Sequence, residues 1–394
     1  MAKAIPRNRV SDFRGVGRLA VDATVGLASL AEALHHNISR APAPWGPAVE
    51  APMGGLTGLV YSSIRGATRA VGGGVDLLLR EIAPLLAHEP STTRRDAVLA
   101  ALNGVLGDHL AWSGNPLAIR MCLRREGAAL ELTGPALREA IAQPRPRVLV
   151  LVHGLCFSDL QWRRNGHDHG AALARDALPT RPLTELYLYY NSGLHVSANG
   201  RSLAETLEAL CQAWPVPLEE LIVVAHSMGG LVAHSACVHG ARMGHQWLGR
   251  LRRVAFLGTP HEGAPLERGG HWVDIVLGAS PYTAAFARLG KLRSAGITDL
   301  RHGSVVEDAR KPVPLPAHVA CYAIAGSLAR RAGGLKERML GDGLVPVESA
   351  LGLHAGPGSG PLFSPSHRAI AYGVGHLALI DSKRVYRRLQ RWLA

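Results

Sequence analysis

Short, almost unbroken apolar runs recur through the second two thirds of the chain, at residues 148–152, 186–190, 221–225, 254–257 and 319–325. Runs of this length without polar alternation predict strands buried on both faces. Their separation by helical stretches predicts a parallel sheet with right-handed crossovers. Just ahead of them, residues 117–123 and 128–132 flank Arg125-Glu126-Gly127 and predict a β-hairpin. The first part of the chain reads differently. Helical periodicity covers residues 21–38, 57–86 and 92–110, with Gly72-Gly73-Gly74 interrupting the second stretch and Ala41-Pro42-Ala43-Pro44-Trp45-Gly46-Pro47 acting as a linker. In the third stretch Asp96 follows Arg94-Arg95 on what reads as a polar face. The organisation expected is a helical N-terminal segment over 1–115 and an α/β domain over 116–394.

Composition fits a globular protein, with 47% hydrophobic and 19% charged residues in 394. Lys and Arg number 43 against 30 Asp and Glu, so the formal charge of +13 raises the question of an anionic partner. The charge is dispersed, however. Arg124-Arg125, Arg163-Arg164, Arg252-Arg253 and Arg387-Arg388 read as solvated faces, and no basic block interleaved with aromatics predicts nucleic-acid binding. The five cysteines form no C-x-x-C pair and read as reduced, buried thiols. No run reaches the roughly 18 apolar residues of a membrane span. Residues 19–34 follow Lys3, Arg7 and Arg9, but Asp22 and Glu32 interrupt them, so an amphipathic helix is expected there rather than a secretory leader, and a cytoplasmic location with it. In His167-Asp168-His169 the two rings diverge at i and i+2 and further ligands are wanting, so neither metal nor cofactor is expected. The last helical stretch, 383–392, sets Val385, Leu389 and Trp392 opposite several arginines. It predicts a packing helix, with contact to a membrane surface as a lesser possibility.

The chemistry sits where the apolar runs end. Residues 221–225 lead into His226-Ser227-Met228-Gly229-Gly230 and then an apolar helical stretch. A strand, a turn of small residues and a helix form an elbow that lifts a serine hydroxyl above the sheet, although Ala225 stands where the G-x-S-x-G pattern has its first glycine. A serine needs a base, and the base an orienting acid, in the chain order serine, acid, histidine. Asp342, in Gly341-Asp342-Gly343, and His376, in Gly375-His376-Leu377, satisfy that order. Asp299, Asp308, His354 and His367 compete in less favourable settings. Two backbone amides should hold the oxyanion: Met228, next to the serine, and Leu155, in the loop His153-Gly154-Leu155-Cys156 after the first run. His153 is read as positioning that loop.

Together with Leu257-Gly258-Thr259-Pro260-His261-Glu262-Gly263, these motifs resemble the lipase-like branch of the α/β hydrolases, near bacterial triacylglycerol lipases and PGAP1-like deacylases. The resemblance runs from about Leu117 to the C-terminus. It implies an α/β-hydrolase fold, hydrolysis of carboxylic esters, often of lipids, and a helical cover over the site, for which residues 263–316 are the candidate. An ester or lipid substrate and a peripheral membrane contact are the partners it suggests. Acyl transfer by the same triad, thioester hydrolysis, and a noncatalytic lipid-binding scaffold are the alternatives.

Overall fold

The structure is a computed structural model that describes residues 93–177, 181–264, 294–306, 313–331, 341–353 and 360–393, with isolated positions between 14 and 25. The chain divides into two compact units. One comprises residues 1–5, 91–111 and 118–394, and the other residues 6–90 and 112–117. Within the second unit, side chains bond to backbone carbonyls. Arg18 donates to the carbonyls of Ser113 and Gly114, and Asn115 donates to that of Gly15. The helical stretch expected at 57–86 lies outside the described residues, as does most of 21–38.

The first unit holds an eight-stranded sheet in the order β2-β1-β4-β3-β5-β6-β7-β8. Its strands are β1 (Cys122–Arg125), β2 (Ala128–Ala129), β3 (Arg147–Val152), β4 (Leu183–Tyr189), β5 (Glu220–His226), β6 (Leu251–Leu257), β7 (Ala320–Ser327) and β8 (Arg368–Tyr372). The hairpin β1–β2 and the pairing of β1 with β4 are antiparallel, and every pairing from β4 to β8 is parallel. Every residue of β3 and β5 is buried, which is why these strands carry no polar alternation in the sequence. The edge strand β8, by contrast, buries one residue of five and escapes an apolar-run reading.

Helices cover the sheet: α1 (Thr93–Trp112), α2 (Gly134–Ala140), α3 (His169–Ala177), α4 (Val196–Ala213), α5 (Met228–Met243), α6 (Ala295–His302), α7 (Val347–Ala350) and α8 (Lys383–Leu393). Helix α5 is buried along almost its whole length and ends at Gly244 in the left-handed conformation. Its neighbour α4 approaches closely because Gly200 has no side chain; a Cβ there would lie 2.2 Å from Ser235 Oγ.

Asp96 and Arg124 depart from their solvated reading. Both are buried, and Arg124 Nη1 donates to Asp96 at 2.8 Å and to Asp159 at 3.0 Å, with its guanidinium 3.5 Å from the centre of the Tyr189 ring. Two carboxylates and an aromatic face replace water around the cation. The group ties α1 and β1 to the segment after β3, and in this way a charged pair becomes part of a core.

Strand β3 lies between β4 and β5, so the chain steps from β3 to β4 in one direction and from β4 to β5 in the other. The C-terminal ends of β3 and β5 are therefore neighbours at a topological switch point, the place where open α/β sheets bind ligands.

Candidate active site

Ser227 follows β5 directly, with φ 55° and ψ −128°, a backbone conformation that an L residue adopts only at a cost of about 1–3 kcal/mol. It occupies the cap position of α5, yet its side chain makes no capping hydrogen bond, so the hydroxyl is not committed to the helix end. The small residues around it are set by close approaches. A Cβ on Gly229 would lie 2.4 Å from the His153 carbonyl oxygen, and one on Gly230 1.9 Å from Thr259 Oγ1. Ala225 is a fully buried strand residue in register with Val152 and Phe256, and the sheet accommodates its methyl where the motif has glycine.

The loop after β3 reaches the nucleophile through Gly154, where a Cβ would sit 3.0 Å from Ser227 Cβ and 3.2 Å from His226 Nδ1. In this loop the amide of Cys156 donates to Ser192 Oγ at 3.0 Å and that of Phe157 to the Gly154 carbonyl at 3.3 Å. The Leu155 amide has no such partner among the described residues. The Met228 amide, at the first position of α5, has no acceptor within the helix. Met228 follows Ser227 in the chain, and Leu155 follows Gly154, the residue that approaches Ser227. His153 holds the loop from inside: its ring stacks on Tyr190 with centroids 4.4 Å apart, its Nδ1 donates to the Gly154 carbonyl, and the Tyr190 hydroxyl donates to the His153 carbonyl.

Asp342 and His376 come together from separate segments. His376 Nδ1 donates to Asp342 Oδ2 at 2.7 Å, and the His376 amide donates to the Asp342 carbonyl at 3.0 Å. Asp342 Oδ1 accepts from the amides of Leu344 and Val345, so a turn fixes the carboxylate while its other oxygen faces the imidazole. With Nδ1 engaged as donor, Nε2 is left as the basic nitrogen. It is buried and has no hydrogen-bond partner among the described residues.

Gly258 marks where the halves meet. The Ser227 amide donates to the Leu257 carbonyl, and a Cβ on Gly258, which has φ 58°, would lie 3.0 Å from Asp342 Oδ2 and 3.2 Å from His376 Nδ1. No hydrogen bond from Ser227 Oγ to His376 Nε2 is formed. Such contacts often tighten only when substrate binds. The competitors are employed elsewhere: Asp299 accepts from His195 and from the Val196 amide at the start of α4, and the His367 ring donates to the Cys321 carbonyl. Asp308 and His354 lie outside the described residues.

Residues 143–314 match a family model described as a PGAP1-like alpha/beta domain. Over those residues the chain is similar to that family, and its mostly parallel sheet with flanking helices makes an α/β fold. The match spans β3 to β6 and includes Ser227, and it ends before Asp342 and His376. Similar solved structures include the mature form of the Bacillus licheniformis lipase BlEst2, at 20% identity and TM-score 0.44 over 64% of this chain and 94% of that one. Two others are the RedJ thioesterase of the prodiginine pathway of Streptomyces coelicolor (14% identity, TM-score 0.39, 64% and 87% covered) and human thioesterase 2 (10%, 0.36, 63% and 94%). Among curated proteins none matches in sequence.

Within this site, His226 is a residue that the sequence reading did not single out. Its Nε2 donates to the His376 carbonyl at 3.1 Å, and its ring lies between Phe157 and the His376 ring, at 5.9 and 4.7 Å. Burial, with the neighbouring His376 adding to it, holds the His226 ring well below the ordinary histidine range, so it is neutral and can act as a fixed donor. The signal for it was its place beside the serine, at the last position of a buried strand. His167 and His169 bond to each other, and His169 Nε2 donates to the Leu379 carbonyl. Asp168 caps the start of α3 and accepts from Tyr187. That trio positions the segment following His376.

Of the expected cover, residues 265–293 and 307–312, with the apolar stretches 272–277 and 282–289, lie outside the described residues. Helix α6 is described, and it is tied down at its start. Ser294 Oγ donates to the Gly104 carbonyl and the Ala295 amide to Asp108, both on α1. All five cysteines are free thiols; Cys156, Cys237 and Cys321 are buried.

Burial also fixes an acid limit. It lowers His153, His169 and His234 to about 4 and His261 to about 3. These folded-state values lie below the unfolded value of about 6.5, so the unfolded chain binds more protons between the two. Stability is then full above about pH 6.5 and is lost as pH falls toward 4, by up to roughly 3 kcal/mol per ring. The thermal midpoint should drop steeply between pH 6.5 and 4.5. A midpoint flat over that interval would contradict the burial of these rings.

Proposed function

We propose that the chain hydrolyses carboxylic esters through an acyl-enzyme formed on Ser227. The observation that supports this reading is a conformationally strained serine with an uncommitted hydroxyl beside His226, which bonds the backbone of a buried histidine whose Nδ1 is held by Asp342 and whose Nε2 has no partner among the described residues.

Ser227 Oγ attacks the ester carbonyl carbon while His376 Nε2 takes its proton, and the charge that develops on the carbonyl oxygen is held by the Leu155 and Met228 amides. As the tetrahedral species collapses, His376 returns the proton to the departing alkoxide, which leaves as an alcohol. Water then adds to the acyl-enzyme, with His376 as base, and releases the carboxylic acid and free Ser227. Asp342 stays ionised throughout and stabilises the imidazolium. Lipid or other acyl esters are the substrate class proposed, a reading supported by the similarity of residues 143–314 to a PGAP1-like alpha/beta domain.

A panel of p-nitrophenyl esters from acetate to palmitate tests this. Turnover should rise beyond acetate and should release acid and p-nitrophenol in equal amounts. Absence of turnover with every acyl length would overturn the proposal. Transfer to added alcohol in preference to water would replace hydrolysis with acyl transfer.

A further inference from the structure

The opposite end of the sheet carries a second concave site that the proposed hydrolysis does not use. A cleft of about 670 Å³ opens at the N-terminal ends of the central strands, lined among others by Arg147, Arg181, Arg252, Arg253, Tyr322 and two carboxylates, the buried Glu220 and the exposed Glu219. We infer that this cleft binds the phosphoryl group of an anionic ligand.

The arginines are placed by rigid elements. Arg147 and Glu220 open the parallel neighbours β3 and β5 and stand opposite each other in register, and Arg253 lies on β6 alongside. Glu220 is buried and accepts from three guanidiniums: Arg147 Nε at 2.6 Å, Arg181 Nη2 at 3.0 Å, and Arg253 Nη1. Arg147 spends its remaining branches on the carbonyls of Arg181 and Leu393, so it builds the cleft wall and does not serve a ligand. Arg252 is exposed at the mouth. Four guanidiniums against two carboxylates, only Glu220 of which is buried among them, leave a cationic excess in the recess, and the repulsion is relieved by an entering oxyanion. Guanidinium forks match phosphoryl oxygens in shape as well as charge.

The surroundings extend the field. Tyr322 stacks on Trp392 at 4.7 Å, and the Arg388 guanidinium lies 5.4 Å from the Trp392 ring centre. The ionisable side chains of α8 outside its tyrosine are all cationic: Lys383, Arg384, Arg387, Arg388 and Arg391. Such a face raises the local concentration of anions.

Glu220 and Ser227 are seven residues apart along β5, roughly 23 Å at strand rise, with the sheet between them. A phosphoryl group in this cleft therefore cannot belong to the ester under attack. It anchors or regulates the chain, and its source is either a soluble phosphate or a lipid headgroup.

The test uses the full chain. Pyrophosphate is titrated by calorimetry, and phosphatidylcholine vesicles with and without phosphatidic acid are assayed by flotation. Saturable pyrophosphate binding identifies a soluble ligand, and binding only to vesicles with phosphatidic acid identifies a headgroup; either supports the site. Arg252→Ala, at an exposed position, should weaken binding about tenfold while leaving ester turnover unchanged, and Arg387→Ala on α8 should weaken it less than about twofold. Glu220→Gln, which removes the competing carboxylate, should increase stabilisation by the anion in thermal unfolding. No binding in either assay, or equal losses for Arg252→Ala and Arg387→Ala, would overturn the inference. Neither result bears on the Ser227 chemistry.

Discussion

Replacing Ser227 by alanine is expected to lower kcat on any ester the chain turns over by about 10⁵ to 10⁶, leaving only what the oxyanion donors and binding supply. The fold should barely notice. The hydroxyl makes no capping bond to α5, so its removal orphans no helix amide. Ser227→Gly separates the two roles further. Glycine adopts φ 55° without the strain that serine bears, so this variant should be inactive and yet more stable than the parent by about 1 kcal/mol, read as a higher thermal midpoint. A serine that served only to start a helix would give the reverse: little loss of turnover.

The second large effect is Asp342→Asn, with a loss of about 10⁴ in kcat. The reason lies in the two oxygens. Oδ1 accepts from the Leu344 and Val345 amides, and an asparagine carbonyl can still do so. That orientation presents the amide NH₂ to His376 Nδ1, which must then become an acceptor, so the ring proton moves to Nε2. A histidine protonated at Nε2 cannot take the serine proton. KM should change much less than kcat, and near-native thermal stability would show that the turn at Asp342 is intact. A loss under tenfold would mean that another acid orients His376.

The central sheet was legible because its strands are buried on both faces. Residues 148–152, 221–225 and 254–257 each fall within an observed strand, 186–190 and 319–325 overlap β4 and β7 with one residue outside each, and the turn residues Glu126 and Gly127 mark the hairpin. The edge strand β8 was not legible, since Arg368-Ala369-Ile370-Ala371-Tyr372 is mostly half-exposed and lacks either pattern. Position between β4 and β5 was invisible for β3 too, because strand order is set by crossovers and not by local composition. Arg124 and Asp96 misled in a specific way. Charge reads as exposure unless its partners, Asp159 among them, can be seen, and those lie 28 and 35 residues from Arg124 in the chain.

In the site, the chain order and small-residue settings of Ser227, Asp342 and His376 pointed to one locus, and the structure pairs the latter two. What the sequence could not reveal is the geometry of approach. Gly258 stands within about a side chain's width of both Asp342 and His376, and His226 braces the His376 backbone. Both act through distances between segments over a hundred residues apart for His226 and His376. Arg252-Arg253 likewise read as a solvated pair, yet Arg253 is tied to Glu220 across two strands.

The account rests on one activated hydroxyl, and covalent labelling with a fluorophosphonate probe interrogates it directly. After reaction and digestion, mass spectrometry should find a single adduct, on the peptide carrying Ser227, in the parent chain, and labelling should slow at least about a hundredfold in Asp342→Asn. An unlabelled Ser227 in folded protein, or labelling as fast without the Asp342 carboxylate as with it, would contradict the catalytic assignment.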